Sequence, residues 1–104
     1  MSNQNYRLCA SLLKSLSHPT RLEILDLLRD KNELCVCDIY ENLDLEQSNV
    51  SQHLKVLKDQ GILISRKEGL MVFYKVSYLE IYDILEKVKL ILQKQLQESL
   101  SHLL

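Results

Sequence analysis

Apolar residues recur every three or four positions through most of this chain, the spacing of helices that bury one face. Leu8, Cys9, Leu12, Leu13 and Leu16 mark an amphipathic helix from about Asn3 to Ser15. Ser17-His18-Pro19 breaks it, and Pro19 suits the first position of a second helix, where a missing N–H leaves no bond unmade. That second helix runs to about Arg29 and is expected to bury Leu22, Ile24, Leu25 and Leu28. A polar turn from Asp30 to Glu33 leads through Leu34-Cys35-Val36-Cys37-Asp38 into a short third helix ending at Leu43, with Asp38 and Glu41 spaced for a capping box.

The fourth helix, from about Glu46 to Gln60, has two distinct faces. Val50, Leu54 and Leu57 form its inner stripe, while Gln47, Ser48, Ser51, Gln52 and Lys55 fall together opposite, with Asn49 beside them. His53 lies between the faces, so a base-reading role and a structural one, bonding neighbouring backbone, are both open. Gly61 is placed to stop the helix. Ile62 to Lys67 and Met71 to Val76 are rich in β-branched and aromatic residues and flank Glu68-Gly69, which predicts a β-hairpin with Arg66 and Lys67 near its tip. From Tyr78 to the end, Ile81, Leu85, Val88, Leu92, Leu96, Leu100 and Leu103 repeat along a final helix roughly 35 to 40 Å long, more than a domain of this size can cover. Its apolar face therefore calls for a second copy of the chain, with the first and last helices as the interface.

The order predicts a mainly α fold with a small β-hairpin, ααααββα, as one winged helix-turn-helix domain over residues 1–104. Charge supports a nucleic-acid role. The chain carries a formal −1, yet between Gln47 and Val76 five cations (Lys55, Lys58, Arg66, Lys67 and Lys75) meet only Asp59 and Glu68, a net +3. Amides and hydroxyls on the fourth helix suit base edges in the major groove, and Lys55, Arg66 and Lys67 suit phosphates or the minor groove. Operator double-stranded DNA is the expected partner. His18 reads as a turn residue and His102 as solvent-exposed at a frayed end.

No run approaches the ~20 apolar residues that span a bilayer, and Met-Ser-Asn-Gln-Asn at the start is unlike an export signal, so a cytoplasmic protein is expected. Three cysteines in such a chain point to reduced thiols rather than a disulfide framework. Cys35 and Cys37 lie two apart, which on an ideal helix sets them on nearly opposite sides; both can grip one ion only if the helix start is non-helical or distorts. Thiolates favour soft ions, and ligation removes their protons, so occupancy could move the first helix of the DNA-binding motif.

Four stretches together resemble the ArsR/SmtB family of bacterial metal-sensing repressors: Ser17-His18-Pro19-Thr20-Arg21-Leu22-Glu23-Ile24-Leu25, Glu33-Leu34-Cys35-Val36-Cys37-Asp38, Ser51-Gln52-His53-Leu54-Lys55-Val56-Leu57, and Arg66-Lys67-Glu68-Gly69 with Tyr74. The Leu-Cys-Val-Cys-Asp box is similar to that of the thiolate-sensing branch. The resemblance implies a homodimer that occupies an operator, blocks a resistance operon, and leaves when As(III), Sb(III) or a soft divalent ion such as Cd or Pb binds. Arsenic repressors of this kind carry a third cysteine shortly after the pair, a place taken here by Tyr40 or its neighbours. Cys9 is the other thiol: it stands in line with the apolar stripe of the first helix, and the likeness to cadmium and lead sensors gives it a route to the pair of a partner subunit. The zinc site of other members needs a histidine near Asp83 and Glu86 on the last helix, which is absent, so no such site is expected.

Other classes are set against this. A thiol-redox or persulfide sensor of the same fold is the alternative, with Cys35 or Cys37 coupling to a second cysteine. A dithiol oxidoreductase would place its pair after a strand of a parallel sheet, which the pattern lacks, so no enzyme is expected. A structural zinc module needs a second spaced pair.

Overall fold

A computed structural model describes residues 2–103. Among the described residues, five helices and three strands follow in the order α1 (Asn3–Leu16), α2 (Pro19–Lys31), β1 (Leu34–Cys35), α3 (Val36–Leu43), α4 (Gln47–Asp59), β2 (Leu63–Glu68), β3 (Met71–Val76) and α5 (Glu80–Leu103). The winged helix-turn-helix order is as the pattern predicts, with one addition. β1 pairs antiparallel with β3, Leu34 opposite Tyr74 and Cys35 opposite Phe73, so the hairpin becomes a three-stranded sheet ordered β1-β3-β2.

Local chemistry sets the helix ends. Ser2 caps α1 by accepting from the Asn5 amide, and Pro19 opens α2 behind His18, whose Nδ1 accepts from the Thr20 amide at 3.1 Å. His18 is thus a capping residue rather than a mere turn. The Asp38–Glu41 capping box does not form: α3 starts earlier, Cys35 is its N-cap, and the Cys35 sulfur accepts from the Asp38 amide at 3.5 Å. Asp44, left-handed at φ 53°, ends α3. At the end of α4 the Gly61 amide bonds the Lys58 carbonyl and the Ile62 amide bonds the Leu57 carbonyl, each at 2.9 Å, which is a Schellman motif. Gly61 takes φ 77° there, a conformation costly for any residue with a Cβ. The hairpin closes through Gly69 and Leu70, one residue beyond the expected turn, with Gly69 at φ 60° in the first position, as in type II′ hairpins.

Ile24, Leu25 and Leu28 of α2, Ile39 of α3, Val50, Leu54 and Leu57 of α4, Ile62 and Leu63, and Ile81 and Tyr82 of α5 form one core. Tyr82 fixes the start of α5, its hydroxyl donating to the Leu25 carbonyl at 2.8 Å. Burial pushes that phenol up to about 12. Leu22, expected inside, is instead exposed and borders a shallow apolar hollow with Leu13, Leu16, Ile84, Leu85 and Val88. Leu8 and Leu13 on α1 and Val88, Leu92, Leu96 and Leu100 on α5 are likewise exposed in the single chain.

Candidate nucleic-acid interface and cysteine pair

α4 presents the two faces that its sequence implies. Val50, His53, Leu54 and Leu57 are buried, whereas Gln47, Ser48, Asn49, Ser51, Gln52 and Lys55 are exposed along one side. Lys55 reaches Asp59 at 3.0 Å, a solvent-exposed pair of the kind that contributes little and breaks readily. Lys67 is exposed on β2.

Two residues grouped with the DNA-contacting set sit elsewhere. His53 turns inward: its Nδ1 accepts from Arg21 Nε at 3.1 Å, and its ring lies 4.3 Å from that of His18. Burial, with the neighbouring His18 and Arg21 charges, lowers its pKa from the ordinary 6.5. His53 is therefore a structural histidine, and its partner is the Arg21 side chain rather than backbone. Arg66 is not at the hairpin tip and its guanidinium is already engaged: Nε and an Nη bond the Glu33 carboxylate at 3.1 and 2.7 Å, and the other Nη bonds Glu68 at 2.7 Å. The group also lies 4.5 Å above the Phe73 ring. Nothing in the spacing of the sequence links Glu33 to Arg66; the β1–β3 pairing that brings them together is a two-residue strand.

The cysteine pair meets the geometric condition read from its spacing. Cys35 is an extended N-cap at φ −76°, ψ 161°, and Cys37 lies in the first turn of α3, so their sulfurs come to 3.2 Å. Cys35 is buried and Cys37 half-buried. Burial pushes the Cys35 thiol up, partly offset by the Asp38 amide, with Cys37 and the Asp38 carboxylate adding to the rise. Both cysteines line a cleft of about 370 Å³ whose other walls are Val36 and Tyr40 of α3, Gln47 and Ser51 of α4, and Leu70, Met71, Val72 and Tyr74 of the wing. The cysteines and the outer face of α4 thus share one cavity. Cys9 is exposed on α1, and among the described residues no three metal-ligating side chains cluster within the chain, so Cys9 does not join the pair there.

Residues 18–65 match the family model described as bacterial regulatory protein, arsR family. The chain is similar to the arsenical resistance operon repressor of Staphylococcus aureus, 37% identical over 84% of this chain and 83% of the relative. It is also similar to a cadmium resistance transcriptional regulatory protein, CadC homolog, of the same species, 36% identical over 84% of this chain and 72% of that one. Among solved structures, HlyU from Vibrio cholerae N16961 superimposes with a TM-score of 0.74 at 37% identity, covering 86% of this chain and 97% of that one.

Proposed function

This chain belongs to the ArsR family of DNA-binding transcriptional regulators, and on that premise we propose that it represses a metal or metalloid resistance operon and is released when Cys35 and Cys37 bind the inducer. As a family member it binds DNA through its helix-turn-helix and is a transcriptional regulator rather than an enzyme. In the proposed complex α4 enters the major groove, with Gln47, Ser48, Asn49, Ser51 and Gln52 toward base edges and Lys55 and Lys67 toward phosphates. The exposed apolar rows on α1 and α5 join two copies, which sets two such helices on one operator.

The inducer reading rests on one observation, the 3.2 Å between the two sulfurs. With bonds of about 2.3 Å, a tetrahedral ion holds two thiolates about 3.8 Å apart, whereas a pyramidal centre with near right angles holds them at roughly 3.2 Å. As(III), and after it Sb(III), which keep a lone pair and make short pyramidal bonds, fit the pair with less rearrangement than tetrahedral Cd or the larger Pb, whose longer bonds set two thiolates farther apart. Cys35 and Cys37 would surrender their protons on ligation. Because Cys35 starts α3 and pairs with Phe73 of the wing, a shift at its sulfur moves both flanks of the α4 face. Redox sensing through Cys35 or Cys37 is the alternative reading; burial disfavours the Cys35 thiolate and so opposes oxidation and ion binding alike.

Ultraviolet difference spectra of the reduced protein test this. Arsenite is expected to give thiolate-to-arsenic absorption that Cys35→Ser and Cys37→Ser both lose. No absorption with any soft ion, together with peroxide-driven crosslinking of the cysteines, would overturn the reading in favour of redox control.

A further inference from the structure

Arg21 joins three helices through one guanidinium. An Nη donates to the Ser15 carbonyl at the end of α1 at 3.0 Å, and Nε donates to His53 Nδ1 in the middle of α4 at 3.1 Å. Arg21 itself belongs to α2, which is tied to α5 by the Tyr82 hydroxyl on the Leu25 carbonyl and by Arg29 on Glu86. Ser15 and His53 are buried and Arg21 is half-buried, so these bonds are shielded from water, unlike the exposed contact of Gln60 with Ser11 at the end of α4. The His18 ring packs on His53 as well.

α4 otherwise meets the core through Val50, Leu54 and Leu57. Apolar contact is non-directional and lets a helix roll; a planar fork of donors in fixed geometry does not. Gln52 adjoins His53 and Asn49 lies one turn before it, so the roll held at His53 is the roll of the outer face of α4. We propose that Arg21 is a positioning residue for operator recognition: it locks α4 to the helices that join two copies and so sets the half-site separation that the dimer accepts. The inference rests on the reading above in which α1 and α5 join two copies and each α4 enters a major groove. One base pair more or less between half-sites shifts one of them by about 3.4 Å and turns it by roughly 35° about the duplex. A dimer with locked recognition helices rejects that change, and one whose helices roll follows it.

Operator fragments from the gene's own promoter, with one base pair inserted or removed between the half-sites, test this by fluorescence anisotropy with the reduced full-length protein. Wild type should bind the native spacing at least about tenfold more tightly than either altered one. Arg21→Met, and Arg21→Met combined with His53→Leu, should cut that preference to about threefold or less; the double variant makes both partners apolar at similar size, a change nearly neutral for the fold. His53→Asn, whose Oδ1 can accept where Nδ1 does, should keep the wild-type preference, and its loss there would place the effect in ring packing and overturn the inference. A double variant that keeps the wild-type preference, or weakens on all three fragments alike, would also overturn it and leave the two-copy reading standing. If wild type binds all three spacings equally, both fall.

Discussion

Arg66 and Glu33, on the wing and on the turn before β1, hold each other through two guanidinium nitrogens at 3.1 and 2.7 Å. The pair lowers the Glu33 carboxyl and raises the guanidinium from their ordinary values, so both stay charged throughout the working range. Glu33 lies two residues before Cys35, and Arg66 covers Phe73, the residue paired with Cys35 across the sheet. The clamp therefore ties the wing to the backbone that carries the thiol.

Glu33→Gln should leave operator affinity of the reduced protein within about threefold of wild type while reducing the loss of affinity on arsenite addition by about threefold or more. Operator titrations with and without arsenite check this. A variant that binds DNA much more tightly, with unchanged release, would instead make Glu33 a mask over a phosphate-contacting Arg66.

On the outer face of α4, Ser51→Ala with Gln52→Ala should weaken binding to the cognate operator far more than to random DNA, by about 1–3 kcal/mol for each side chain that bonds a base edge. Lys67→Ala should weaken both equally and lower the slope of log affinity against log salt by about 1. Equal weakening on both sequences for the α4 variant would remove these side chains from base reading.

His53 carries a pH dependence. Because its folded pKa lies below the ordinary 6.5, its neutral form supports the fold above that value, and this support is lost as pH falls through the lowered folded pKa. Positive charge on His53 would face Arg21 and His18. The melting temperature should drop between pH 7.5 and 5.5, and drop less in His53→Gln. A variant with an unchanged pH profile would show that His53 does not titrate with unfolding.

Much of this was legible in the chain. Three- and four-residue apolar spacing located α1, α2, α4 and α5, because each carries an apolar stripe, buried in the core for α2 and α4 and mostly exposed in the single chain for α1 and α5; α3 was read instead from the turn before it and its end at Leu43. β1 was not legible, since two residues carry no period and their partners, Phe73 and Tyr74, lie far along the chain. The same gap hid the Glu33–Arg66 clamp and made Arg66 look like a free cation. His53 was ambiguous because it borders both faces, and only the fold brings Arg21 to it. The spacing of Cys35 and Cys37 stated the condition for a shared ligand; the N-cap position that meets it depends on where β1 ends and α3 begins.

Leu22 looked like a core residue because its spacing matches Leu25, yet it borders the exposed hollow between α1 and α5. That displacement fits a face completed by a second copy. Leu92→Glu with Leu96→Glu, both exposed and remote from the core, should give a folded monomer by sedimentation and weaken operator binding at least tenfold. A variant that remains dimeric would place the interface elsewhere.

Release of DNA under control of the cysteine pair is best checked by fluorescence anisotropy of a labelled fragment from the gene's own promoter, bound by the reduced protein and titrated with arsenite, antimonite, cadmium, lead and zinc. Release of the wild-type protein by arsenite or antimonite, with Cys35→Ser still bound at the same concentration, is the predicted result. Release by oxidants alone, or equal release of the Cys35→Ser protein, would contradict it.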